Sequence, residues 1–294
     1  MKKINFLSML VIILIIVPSS SFSQEKKERD SISAVIKEPS YILAGTAFNS
    51  DIVFLGRKSS IKSPYISASA GYYHKSGFFI TGIVSYLAAS QQNRIDLFTA
   101  SGGYDYYKKN FSAGVSTTGY VFNNKSYTVK SVLTANLNAY ADYDFDILEV
   151  YADGTMYFSN QSDFIFSAAI SHNFYTANDN LKISPAFSLY SGTQNYYSNY
   201  NNNKRFGQHM INAGGINTMG TGMMNGGIFN IQNYEFSIPV RYDFKHFRFI
   251  FLPVYAMPVN PATITDNQNT YKEDLSNTFF WSMEVIYKFS KQKK

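Results

Sequence analysis

The chain has 294 residues, a formal net charge of +6, 25 Phe and 24 Tyr against a single Trp, and no cysteine. The missing thiol excludes disulfides, thiolate metal sites and a lipid anchor on cysteine. Basic residues occur singly or in short groups, so the small excess of charge lacks the basic stripe that phosphate binding requires.

Residues 1–23 read as a secretory signal: Lys2 and Lys3, an apolar run from Phe6 to Val17, then small residues up to Ser23, with cleavage expected before Gln24. The apolar core is about a dozen residues, short of the roughly 20 of a spanning helix. Without the signal, 271 residues carry a charge of only +4. No later run approaches about 18 consecutive apolar residues, so any membrane crossing is made by strands closed into a barrel. Residues 24–39, charged and ending in Pro39, form a leader expected in the periplasm.

Twelve strands are predicted, near 41–49, 64–73, 78–87, 95–106, 111–122, 128–142, 147–158, 163–175, 181–192, 228–243, 246–257 and 277–289. Short connections follow the even-numbered strands, at 74–77, 107–110, 143–146, 176–180 and 244–245. Longer ones follow several odd-numbered strands, at 50–63, 193–227 and 258–276. Short periplasmic turns and long outer loops are the asymmetry of a bacterial outer-membrane barrel. The fold class expected is therefore all-β: a transmembrane antiparallel up-and-down barrel of about 12 strands spanning residues 40–294, in the outer membrane of a Gram-negative bacterium.

Alternation gives the faces. In the sixth strand Leu133, Ala135, Leu137 and Ala139 oppose Thr134, Asn136, Asn138 and Tyr140. The eighth sets Phe164, Phe166, Ala168 and Ile170 against Ser167, Ser171 and Asn173, and the tenth sets Phe236, Ile238, Val240 and Tyr242 against Glu235, Ser237 and Arg241. A soluble barrel alternates too, with its apolar face inward. Two features favour lipid outside and water inside. The polar face carries Asp153, Glu235 and Glu284 near strand middles, where a dry core would reject them. Aromatics crowd the periplasmic ends, at Tyr72, Phe78, Tyr106, Phe111, Tyr140, Tyr143, Tyr175, Tyr242 and Phe247, as in an interfacial girdle.

The last strand, FFWSMEVIYKF (279–289), keeps an apolar face for 11 residues, the length of a tilted bilayer-crossing strand. Its Met283, Val285, Tyr287 and Phe289 resemble the C-terminal signal read by the outer-membrane barrel assembly machinery, although five residues follow Phe289. The stretch NYEFSIPVRYDFKHFRFIFLPVYAMPVN (233–260), with the Ser-Phe-Ser-Gln cleavage region, resembles uncharacterised outer-membrane β-barrel proteins of the Bacteroidota. That resemblance implies fold and location and carries no activity.

The lumen is the expected seat of function. Asp153, Glu235, Arg241 and Glu284 are the expected lining of a path. Asp142, Glu149, Lys182, Arg248 and Lys288, with Arg241, are expected to form ion pairs near the periplasmic side. The midplane acids have no cationic partner in this register and bias a pore towards cations. The first expectation is a narrow pore or carrier for small solutes, without a cofactor; the second is a non-conducting structural or adhesive barrel whose outer loops meet a partner. A lipid-modifying enzyme needs a serine and histidine near the outer rim, yet His74, His172 and His246 fall towards the periplasmic side and His209 in a long loop. Met210, Met219, Met223 and Met224 with His209 raise a copper(I) reading; their irregular spacing favours a Gly/Asn-rich loop with packing methionines.

Overall fold

The computed structural model describes residues 39–58, 62–89, 93–126, 128–196, 222–223, 225–265 and 270–289. Twelve wall strands run in chain order around a closed antiparallel ring. They are β1 (Tyr41–Asn49), β2 (Tyr65–Tyr73), β3 (Phe78–Leu87), β4 (Arg94–Lys108), β5 (Phe111–Phe122) and β6 (Ala135–Asp144). The second half comprises β7 (Glu149–Phe158), β8 (Asp163–Ser171, then Phe174–Tyr175), β9 (Leu181–Ile183, then Ala186–Gly192), β10 (Asn230–Ser237, then Val240–Phe244), β11 (Phe247–Pro258) and β12 (Thr278–Phe289). Closure is explicit in the register, because Ile42 of β1 stands opposite Tyr72 of β2 on one side and Phe289 of β12 on the other.

The period of two puts apolar side chains outside and polar ones inside. Along β6, Leu137 is 53% exposed while Asn136 and Asn138 are 7% and 6% exposed. Phe78, Ile80, Val121, Phe166, Phe236, Met283 and Phe289 continue the outer band. A wall that leaves its large apolar residues uncovered and encloses its Asn, Asp, Glu and Ser is inverted relative to a soluble barrel, and only a bilayer rewards it. Each strand from β1 to β12 pairs with both its neighbours over most of its length, as hydrocarbon demands.

Hydrogen-bonded rows climb steeply around the ring. One starts at the periplasmic turn, where the Asp105 amide donates to the Gly77 carbonyl (3.0 Å), and pairs Asp105 with Gly114, Tyr140, Asp153, Ser167, Tyr190, Asn233 and Pro258 in succession. It begins at the periplasmic end of β3 and finishes at the outer end of β11, the consequence of strand tilt in a closed barrel.

Three predicted strands are interrupted, and proline is the reason. Pro185 and Pro239 supply no backbone N–H to the ladder. Their carbonyls, with that of Pro253, accept from His172 (3.2 Å), Ser184 (2.9 Å) and Ile238 (3.3 Å), so the wall bends without opening. The sixth strand begins at Ala135 rather than near 128, since Val129–Val132 forms a 3-10 turn at the mouth. Leu133, expected on the lipid face, is instead buried there. Of the expected girdle, Tyr72, Phe78, Tyr106, Phe111, Tyr143, Tyr242 and Phe247 are exposed outside. Tyr140 turns inward, its hydroxyl donating to Asp105 (2.8 Å).

Candidate functional site

The climbing row is also a polar track on the inner wall. At its foot Tyr140 lies flat over Gly114, where an added Cβ would stand 2.4 Å from Tyr140 Cε1 and 2.6 Å from Asp105 Oδ1. Glycine at this one position of β5 therefore lets the ring reach Asp105. One strand further, Asp153 Oδ2 accepts from Asn138 Nδ2 (3.1 Å) and Thr155 Oγ1 (2.9 Å), and Oδ1 accepts from the Ser167 hydroxyl. At the head of the track Glu235 accepts from Asn233 Nδ2 (2.7 Å) and the Tyr190 hydroxyl (3.4 Å), with Ser188 directly across from it on β9. The carboxyl groups of Asp105, Asp153 and Glu235 are thus held and oriented by neutral donors.

Near the periplasmic side the wall of β9–β12 is basic. Arg241 and Arg248 both close on Asp243, at 3.0 and 2.7 Å, an acid that sequence reading did not include. Lys182 lies over the Tyr175 ring (5.7 Å) and Lys288 over the Tyr41 ring (4.5 Å). On the opposite wall Asp142 accepts from the Ser112 hydroxyl (3.1 Å), and Glu149 accepts from Asn173 Nδ2 (2.6 Å). Glu284 stands across from Ile250 of β11, diagonal to Arg248, a cation that sequence reading did not set beside it. An apolar patch of Leu43, Tyr73, Phe79 and Ile286, joined by Tyr41 and Ile250, narrows this half of the lumen. In so small a ring inward side chains from neighbouring strands touch, so the interior is not uniformly wet. Val285, Tyr287 and Phe289 face outwards on β12, with the Tyr287 and Phe289 rings 4.5 Å apart.

At the outer mouth the β1–β2 loop crosses to the far wall. Its Val53–Phe54 and Arg57–Lys58 segments pair as a small hairpin turned by Leu55 and Gly56, both at positive φ (50° and 74°). Phe54 meets the rings of Tyr157 on β7 (5.4 Å), six strands round the ring from β1, and Tyr196 beyond β9 (4.9 Å), four strands round the other way. Phe54 and Leu55 enter a cluster with Val129, Leu133, Ile165 and Tyr190. A Cβ on Gly56 would stand 2.6 Å from Asn233 Oδ1 and 2.8 Å from Pro258 Cβ, so the hairpin tip is seated against the top of the polar track.

Arg57 is the centre of this contact. Its Nε donates to both oxygens of Glu273 (3.2 Å each), Nη1 to Gln232 Oε1 (3.2 Å) and Nη2 to Gln194 Oε1 (3.1 Å) and the Asn260 carbonyl (3.3 Å). The Arg57 and Glu273 side chains are 2% and 4% exposed. The loop base is tied by Asp51, which accepts from the amides of Ile52 (3.0 Å) and Ser63 (3.1 Å), while burial raises its carboxyl above the ordinary aspartate range. Lys130 lies 5.0 Å from the centre of the Phe54 ring, and burial of its ammonium pulls it down to about 8. Sequence reading placed residues 50–63 in a long outer loop and did not single out Arg57, Glu273, Gln194 or Gln232. The signal was the apolar triplet Val53-Phe54-Leu55 in a loop otherwise expected to be polar.

The remaining sequence candidates are peripheral to this site. His74 Nδ1 lies 2.6 Å from the Ser76 hydroxyl in a periplasmic turn, and His172 Nδ1 donates to the Ile147 carbonyl (2.7 Å). His209, Met210, Met219 and Met224, and the side chain of Met223, lie outside the described residues.

No family model and no curated protein matches the chain. Among solved structures it is similar to a KdgM porin, at 11% identity and a TM-score of 0.46, over 85% of this chain and 99% of that one. It is also similar to a NanC porin, at 9% identity and a TM-score of 0.44, over 84% and 98%. An outer-membrane channel from Pseudomonas putida F1 aligns at 8% identity and a TM-score of 0.42, over 85% and 96%. Likeness this distant says nothing of what passes through the barrel.

Proposed function

We propose that this transmembrane barrel is a narrow outer-membrane pore for small hydrophilic solutes, with a preference for cations. The observation that carries the reading is a set of inward carboxyl groups on the wall: Asp105 and Asp153 share one climbing cross-strand row, and Glu235 stands on the same face two residues from Asn233 at the head of that row. Burying carboxylates is costly, and neutral hydrogen bonds offset only part of that cost. Acids spaced along a wall are useful where cations are stabilised in passing. Arg241 on β10 and Glu284 on β12 add inward charge beyond this row.

Purified protein in planar bilayers is expected to give discrete conductance steps with a reversal potential favouring cations. Asp153→Asn with Glu235→Gln is expected to reduce that preference while keeping the steps, and Glu284→Gln to reduce it less. Silence across all voltages in wild type and in variants lacking the hairpin contact sinks the pore reading.

A second reading, a non-conducting barrel whose outer loops meet a partner, is favoured by one feature. The hairpin at 53–58 lies across the mouth and packs into its apolar cluster. The two readings part on whether release of that hairpin opens a current.

A further inference from the structure

We infer that the outer mouth contains a binding pocket for small guanidinium-bearing solutes, and that Arg57 occupies it as a tethered stand-in. The inference names the solute class for the proposed pore and rests on that reading for the solute's onward passage.

The acceptors around Arg57 come from β10, the residues after β9 and the β11–β12 connection and not from its own hairpin, apart from the Leu55 carbonyl (3.4 Å). Three of the four acceptor residues are oriented by contacts that do not involve Arg57. Gln232 Nε2 donates to the Gly192 carbonyl (2.9 Å), which points Oε1 into the pocket. Glu273 Oε2 accepts from the Ala262 amide (3.0 Å), and the Glu273 amide donates back to the Ala262 carbonyl (2.8 Å). Asn260, at φ 55°, is fixed by its Nδ2 donating to the Ile231 carbonyl (2.7 Å). Glu273, Gln232 and the Asn260 carbonyl are therefore set in place without the hairpin.

Its chemistry selects one class of ligand. Two carboxylate oxygens, two carboxamide oxygens and a backbone carbonyl converge on Nε, Nη1 and Nη2 of one flat group. Such a set matches the rigid planar fork of a guanidinium better than the compact, strongly hydrated head of an ammonium. A neutral solute is excluded for another reason: on departure of Arg57 it would leave the Glu273 carboxylate buried without a countercharge. A free guanidinium that takes the site releases the hairpin, whose tip abuts Asn233 at the head of the acidic track. Binding and opening are then one event.

The test is calorimetric titration of full-length protein in detergent with argininamide and lysinamide. In wild type the tethered Arg57 competes at an effective concentration in the millimolar range or above. Arg57→Ala is therefore expected to bind argininamide at least about tenfold more tightly than wild type, and to prefer it to lysinamide. Arg57→Lys, a poorer occupant that keeps the charge, is expected to fall between them, and it reports on the pocket should Arg57→Ala fail to fold. Adding Glu273→Gln to either variant is expected to abolish binding. Absence of argininamide binding by the folded variant, equal affinity in wild type and variant, or equal binding of lysinamide overturns the inference. No conduction is needed for this readout, so a chain that conducts without binding refutes the pocket alone, and one that binds without conducting refutes the pore alone.

Discussion

Replacing Glu273 by Gln removes the charge that holds Arg57 across the mouth while keeping nearly the same volume. At 3.2 Å and an effective dielectric of about 20, the Coulomb attraction is about 5 kcal/mol. Desolvation of both groups offsets much of that in the intact pair, but the variant leaves Arg57 buried with neutral acceptors only. Breaking a buried pair from one side costs about 3–5 kcal/mol. If that cost falls on the closed hairpin, its opening equilibrium rises by at least about 100-fold. The absence of native cysteine makes the assay direct. Leu55, 7% exposed at the hairpin tip, is changed to Cys, and labelling by a membrane-impermeant maleimide is timed in reconstituted vesicles. The Leu55→Cys, Glu273→Gln protein is expected to label at least about 100-fold faster than Leu55→Cys alone. Arg57→Ala is expected to act in the same direction, and the two together little more than either. Rates within about threefold of one another across these proteins, with the barrel still heat-modifiable on gels, refute the latch.

Further expectations concern the wall and the mouth. Leu137→Arg, on the lipid face of β6, is expected to lower stability by about 2–4 kcal/mol in urea unfolding from vesicles. Gly114→Ala forces Tyr140 off Asp105 and is expected to cost about 1–3 kcal/mol, whereas Gly119→Ala, with nothing within 4 Å of the added carbon, is expected to be nearly neutral. Lys130 titrates near pH 8 when folded, against 10.5 ordinarily. Its folded state thus resists protonation. The resulting penalty is absent above the ordinary value, grows as pH falls towards 8 and is complete below it. Carbon-13 NMR of reductively methylated protein is expected to show a methyl resonance titrating near pH 8 that disappears in Lys130→Met.

The barrel itself was legible because its signal is repeated in every strand. Phe164 and Phe166 face outward and Ser167 inward as the alternation requires, and the turn at Phe244-Lys245 falls where two apolar runs meet. What alternation does not encode is contact between inward side chains distant in sequence. Arg57 and Glu273 lie 216 residues apart and share no periodic pattern. Asp243 is not legible as a partner of Arg241 and Arg248, because a spacing of two reads only as a shared face and not as an ion pair within one strand or across to the next. Pro185 and Pro239 were visible as residues, but their effect depended on standing beside one another across β9 and β10. Leu133 was misplaced because the alternation of β6 extends into residues that the mouth cluster recruits. The local pattern continued, and tertiary packing ended the strand.

The most direct test of the central claim uses the chain's single tryptophan. Trp281 shares the outer face of β12 with Phe279 and Met283, its ring 5.2 Å from that of Phe48 and 6.0 Å from that of Phe251. In vesicles of lipids brominated on their acyl chains, its fluorescence is expected to be strongly quenched and nearly insensitive to aqueous iodide. Quenching by iodide with no effect of the brominated chains would mean that the apolar face does not meet lipid, contradicting the inside-out barrel.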